Sequence, residues 1–234
     1  MTAFADDKIL FDMVTVTWLK KCEAIWLKSM NYTSIGMHMR NLRAMMNEAR
    51  KSGVIKESQY PFGKDKYEIK TGESHKKALP ITQIGNIYRF EDGLEATEKY
   101  RDLWMFIYLC NGINVVDLLK LKYSNIVDDE ICFIRQKTER TSKTVKEIRA
   151  AVTPEMKAII ERWGNPYGPD NYIFPFLTGN ETALQRKIIT QDVTKRINKC
   201  SKRIGRELGI GNVTTYTSRH TYFHFRLKAS KLQK

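Results

Sequence analysis

Leu103-Trp104-Met105-Phe106-Ile107-Tyr108-Leu109-Cys110, stopped by Asn111-Gly112, is the stretch that organises this chain. It is apolar on every side, the pattern of a helix buried at the centre of a domain rather than laid on its surface. The helix begins near Glu95. A short helix at Ile81, Ile84, Ile87 and Tyr88 precedes it, and another over Val115 to Leu121 follows.

Further along, Ile131-Cys132-Phe133-Ile134-Arg135 reads as a strand, rich in β-branched and aromatic residues. Lys146 to Val152 is its return strand across a polar turn. Thr153-Pro154-Glu155 opens the next helix with a cap, a proline at the first helical position and an early acid, and Gly164 closes it. Tyr172 to Leu177 is a short extended piece. A strongly basic helix is predicted from Thr190 to Leu208, with Val193, Ile197, Cys200 and Ile204 on its buried stripe.

Upstream of residue 80 the chain changes character. One helix is expected from Asp6 to Ser29, on the stripe Leu10, Phe11, Val14, Trp18, Cys22, Ile25 and Trp26. A second starts near Thr33-Ser34 and ends before Gly53. Tyr60-Pro61-Phe62-Gly63-Lys64-Asp65-Lys66-Tyr67 is an extended or hairpin element, with a linker at 71–78. These features place a domain boundary near Lys76-Lys77, giving domains at 1–76 and 77–234. The fold class is mainly α, with one small antiparallel β element.

The 234 residues carry a formal charge of +14, and 42% are apolar, enough to build cores and to exclude wholesale disorder. Residues 182–234 hold 13 Lys and Arg against Asp192 and Glu207, and the middle of the chain is slightly acidic. A basic block on a folded chain marks a polyanion partner, with nucleic acid first. The uncharged run from Leu103 to Val116 is too short to span a bilayer, and the acidic N-terminus is no signal peptide. With four scattered cysteines and no paired metal spacing, a reduced cytoplasmic protein is expected, without membrane contact. His220 and His224 lack a third ligand, so no metal site is assigned.

Three segments then carry a resemblance: Gly112-Ile113-Asn114-Val115-Val116-Asp117-Leu118, Gln136-Lys137-Thr138, and Tyr216-Thr217-Ser218-Arg219-His220-Thr221. In this order and context the chain resembles the tyrosine recombinases, or phage-type integrases, most of all their Bacteroides-like branch. Arg40 to Tyr67 looks like that branch's helical, SAM-like core-binding domain. The remainder resembles an α+β catalytic domain.

The resemblance implies the chemistry. A tyrosine hydroxyl attacks a phosphodiester of double-stranded DNA and forms a 3′-phosphotyrosyl bond, conserving bond energy without metal or cofactor. Arginines hold the charge that develops on the phosphate, and a lysine protonates the leaving 5′ oxygen. Lys137 matches that lysine and Arg219 the second arginine. Asn114 and Tyr216 occupy catalytic positions in degenerate form, where an arginine and a histidine are expected. Arg140 or Arg149 on the hairpin is the candidate for the missing cation. Arg40, Arg43, Arg140, Lys195, Arg196, Lys199, Lys202, Arg203 and His220 are the expected DNA contacts.

The family also implies several dozen residues after the Arg219 helix, bearing a second His or Trp and the nucleophilic tyrosine. Here 15 residues follow Arg219. The expectation is a catalytic domain truncated before its nucleophile and inactive alone, meeting other recombinase protomers on DNA. The alternative is a non-catalytic DNA-binding remnant or competitor of a full-length integrase. An RNA-binding or membrane-surface protein is the third class.

Overall fold

The computed structural model describes residues 9–72, 77–136, 144 and 146–232. The chain divides into two compact units, Met1–His75 and Lys76–Lys234.

The first unit is built on α1 (Val16–Trp26) and α2 (Tyr32–Lys51). The expected long first helix is shorter. Thr15 accepts a hydrogen bond from the Trp18 N–H at 3.2 Å and restarts the chain as α1, after a single 3-10 turn at Phe11–Met13. Leu10 and Phe11, assigned to the stripe, are consequently exposed. Asn31, rather than Thr33 or Ser34, caps α2 by accepting from the Ser34 N–H at 3.0 Å. Gly53 closes the helix at φ +76, a backbone conformation glycine adopts without penalty.

Leu19 and Cys22 of α1 face Ile35, Met39, Met46 and Ala49 of α2. Two helices leave this core open on one side, and the aromatic segment closes it. Tyr60, Phe62 and Tyr67 are all buried, with Phe62 at 5.9 Å from each of the other two rings. The segment is a tight turn rather than a hairpin: the Tyr67 N–H donates to Pro61 O and the Gly63 N–H to Tyr67 O. The Tyr67 hydroxyl donates to Glu23 at 2.5 Å, and Lys70 pairs with the same carboxylate at 2.8 Å.

The second unit runs α3 (Ile81–Tyr88), α4 (Glu95–Leu109), α5 (Val115–Leu118), a sheet, α6 (Pro154–Trp163), α7 (Ala183–Glu207) and α8 (Thr215–Leu232). Helix α4 is central, packed by α6, α7 and α8. Leu103, Trp104, Phe106 and Ile107 are fully buried, as their all-round apolarity requires. Its upper half also buries an ion pair. Arg101 donates to Asp102 at 2.8 Å, and the Trp163 indole N–H donates to the other Asp102 oxygen at 2.8 Å.

The sheet has strands β1 (Ile126–Val127), β2 (Glu130–Ile134) and β3 (Glu147–Ala151), antiparallel in the order β1-β2-β3. Asp128 and Asp129, both at positive φ, turn β1 into β2. The two-residue β1 is too brief to give a periodicity signal. Ile131, paired with Ala150, and Phe133, paired with Ile148, point into the core.

Helix α7 starts seven residues earlier than expected. Thr182 accepts from the Gln185 N–H while the Gln185 side chain accepts from the Thr182 N–H, a capping box. At the short helix α3, Ile84 and Ile87 are buried, whereas Ile81 and Tyr88 are exposed.

Candidate nucleic-acid interface

Four backbone elements of the second unit meet where α4 ends. Asn111 and Gly112, both at positive φ, reverse the chain out of α4. Asn114 then opens α5, and its side chain donates to Asp117 Oδ2 at 3.3 Å. Asp117 is buried, and its Oδ1 accepts the Gln136 N–H at 3.1 Å. One carboxylate thus ties α5 to the end of β2.

The fourth element is the start of α8, which is pinned before it reaches the site. Thr214 and Thr217 exchange backbone-to-hydroxyl hydrogen bonds, and the Thr215 N–H donates to Asn198 of α7 at 2.8 Å. The Trp104 indole donates to Thr214 O at 2.9 Å, and the Ser218 hydroxyl to Trp104 O at 3.3 Å. These contacts satisfy free N–H groups of the first turn and fix its rotation. Arg219 therefore leaves α8 directly against the α4–α5 turn and donates to Gly112 O. Its guanidinium lies 5.9 Å from the centre of the Phe223 ring.

Arg219 is half-buried. Burial lowers its pKa from the ordinary guanidinium value, and the charge of Arg135 lowers it further; Tyr216 and Asp117 act in the opposite sense. Arginine starts from so high a pKa that it stays charged at neutral pH. Arg219 thus sits in a partly desolvated place, with the charge of Arg135 near enough to be felt and the buried Asp117 carboxylate nearby. The arrangement favours an anion, because bound negative charge relieves the repulsion between the two arginines.

Arg135 is the residue that motif reading missed. It was assigned only to a strand, yet a signal was present. Strand alternation carried one residue past β2, which ends at Ile134, puts residue 135 in phase with the buried Ile131 and Phe133. Arg149, proposed as the extra cation, is instead held at the sheet by Glu147 at 2.9 Å and Glu130 at 3.4 Å. Lys137 and Arg140 lie outside the described residues.

The other assigned residues fall into separate groups. Tyr216 is 69% exposed beside the arginine pair, with its ring 5.8 Å from that of His220. Lys195, Lys199 and Lys202 line a cavity of about 620 Å³ on α7 together with Asn198, the residue that receives the start of α8. Arg196 and Arg203 lie further round α7, paired with Asp192 at 2.7 Å and Asp92 at 2.6 Å. Arg40 and Arg43 are exposed on α2 of the first unit. Among the described residues no cluster of three or more His, Cys, Asp or Glu could hold a metal ion. No described helix is long and apolar enough to cross a membrane.

Comparison with known proteins agrees with this architecture. Residues 1–69 match the phage integrase SAM-like domain family. No curated protein matches the chain in sequence. Among solved structures, the integrase of transposon Tn1549 in complex with transposon right-end DNA is similar at a TM-score of 0.61. Identity is 17%, over 95% of this chain and 75% of that one. The same integrase with circular intermediate DNA gives 0.56, at 17% identity over 94% and 75%. A lambda integrase dimer bound to a COC′ core site gives 0.57, at 16% identity over 89% and 72%. At these identities the likeness is one of fold.

Proposed function

We propose that this chain, whose residues 1–69 match the phage integrase SAM-like domain family and whose fold is that of solved integrases, is a tyrosine recombinase that binds duplex DNA and seats one backbone phosphate at Arg219, with Arg135 beside it. The observation that carries this reading is the half-buried Arg219, held against Gly112 O at the α4–α5 turn of an integrase-like fold. The solved integrases of like fold are themselves held on DNA.

In this reading the site's own residues do the following. Arg135 and Arg219 place N–H donors around the non-bridging oxygens, where charge accumulates when the phosphorus becomes five-coordinate. The Gly112 carbonyl orients Arg219 by accepting one of its donors. Asp117 offsets part of the cationic charge and holds Asn114 and the end of β2 in register. Lys137, outside the described residues, is read as the general acid. Tyr216 and His220 line the approach. Lys195 and Lys202 contact neighbouring phosphates along the strand, and Arg40 and Arg43 contact the duplex from the SAM-like domain.

This reading predicts duplex binding that weakens linearly on logarithmic axes as salt rises. Arg219→Gln should weaken it by at least about tenfold, the worth of one lost charge-assisted hydrogen bond. Duplex affinity and tungstate binding left unchanged in both Arg135→Gln and Arg219→Gln would overturn it. Nicked attachment-site DNA separates the two functional classes. A covalent protein–DNA adduct identifies a strand-cleaving recombinase, and tight binding without adduct identifies a binding module.

A further inference from the structure

We propose that the groove between α4 and α7 docks a short acidic peptide segment of a partner protein, anchored by a bulky apolar side chain. The groove holds about 340 Å³, and Leu94, Ala96, Tyr100 and Cys200 form its floor. Leu94 is 52% exposed, although it sits where the chain enters the central helix of the unit. An apolar floor inside a polar rim offers a concave seat for one apolar side chain.

The rim is cationic and half prearranged. Arg203 is fixed by Asp92 and Thr97, and Arg196 by Asp192. Lys199 and Arg206 have no carboxylate partner among the described residues. Rigid guanidinium forks beside unpaired cations suit carboxylates, and the apolar floor requires a side chain to cover it. A DNA backbone supplies the charge but nothing for Leu94 and Tyr100 to bury. The groove opens on the α4 flank of α7, whereas Asn198, Lys195 and Lys202 lie towards α8; Lys199 borders both. This inference does not depend on the DNA-binding reading.

The test uses the whole chain and a fluorescein-labelled probe peptide, Asp-Glu-Leu-Phe-Glu-Asp, followed by anisotropy. Its control has Ser in place of Leu and Phe. Saturable binding is expected. It should weaken by at least about tenfold in the control peptide and in Ala96→Glu, which puts bulk and negative charge on the floor. Ala96 is exposed in the first turn of α4, where an acid suits the helix, so the variant should fold. Its duplex affinity should stay within about twofold of the parent, since the residue lies apart from the phosphate site. Arg206→Glu should weaken peptide binding in the same way. Equal binding of both peptides, indifference to Ala96→Glu, no binding at all, or one-for-one displacement by duplex DNA would each overturn the proposal. The last outcome would make the groove part of the nucleic-acid surface.

Discussion

A Cβ placed on Gly112 would stand 3.2 Å from Arg219 Cα, and the Gly112 carbonyl accepts a hydrogen bond from the Arg219 guanidinium. The turn out of α4 and the first turn of α8 are thus in backbone contact, with no space for a side chain. Gly112 also sits at φ +66, where any other residue is strained by about 1–2 kcal/mol. Gly112→Ala should push α8 away and misdirect Arg219. The expected result is a loss of about tenfold in duplex affinity, the scale of an interaction made only at correct geometry. Melting should change by only a few degrees. Equilibrium binding and a thermal melt on the same preparation check both halves.

The like-charged pair makes a second, quantitative expectation. Each phosphate that is neutralised should contribute about one unit to the salt slope of binding. If Arg135 and Arg219 seat one phosphate as proposed, Arg135→Gln or Arg219→Gln alone should flatten the slope by less than about one unit and the double variant by about one unit. The double variant should then also lose less affinity than the sum of the single losses. Strict additivity would place Arg135 and Arg219 on different phosphates. Titrations across a salt series give slope and affinity together.

The parts of this fold that were legible in the sequence are those whose physics is local. Leu103 to Cys110 declared a central helix because every face is apolar, and Gly53, Thr153 and Pro154 marked helix ends by their own chemistry. Reading failed where a partner distant in sequence decides. Nothing near Arg101 and Asp102 in sequence marks them as buried; Trp163, about sixty residues later, makes their burial tenable. Helix α7 starts two turns earlier than read for a local reason: Thr182 and Gln185 form a Thr-x-x-Gln capping box that the basic stripe overshadowed. At the site, Arg219 was visible as part of a local motif. Arg135 was not, because no motif marks it and only its spacing from the buried Ile131 and Phe133 singles it out.

The Arg101–Asp102 pair gives the third prediction. Asp102 side-chain oxygens also receive Arg162 at 3.5 Å, so one carboxylate serves α4 and α6 together. Asp102→Ala leaves the buried Arg101 guanidinium without its counter-charge, which costs about 3–5 kcal/mol. That is a large share of a domain's stability, and the second unit should melt well below its normal temperature. Asp102→Asn keeps one acceptor, for Arg101 or for Trp163, and should cost less. Hydrogen exchange of the α4 and α6 amides locates the damage.

In the first unit the comparable group is Glu23, which holds the Tyr67 hydroxyl and Lys70. Burial pushes its pKa up, but the hydrogen bonds from Lys70 and Tyr67 outweigh that and leave it low. Glu23→Ala strands a buried hydroxyl and should cost about 1–3 kcal/mol. Tyr67→Phe leaves Glu23 its lysine and should cost about 1 kcal/mol. Protection of α1 and α2 amides should fall in that order, because Tyr67 closes the core those helices share.

The loop before α7 supplies a pH test. The Thr178 N–H donates to Glu181 at 2.6 Å, its hydroxyl at 2.8 Å, and the Gly179 N–H reaches the second oxygen at 3.1 Å. These donors favour the charged form, the Thr178 N–H most of all, and bring the carboxyl down to about 2 from an ordinary 4.5. A carboxylate whose pKa is lower folded than unfolded stabilises the fold fully above the unfolded value. That contribution disappears as pH falls through the folded one. Glu181 should therefore hold the loop, and with it the Thr182 cap of α7, at neutral pH, releasing it progressively between about pH 4.5 and about pH 2. Carbon-detected NMR titration of the Glu181 carboxyl should show a midpoint near 2. Glu181→Gln should melt earlier than the parent at pH 7, and the gap should close as the parent's own carboxylate is protonated. A gap of the same size at pH 7 and at the acid end would assign the loop's stability to shape rather than to this charge.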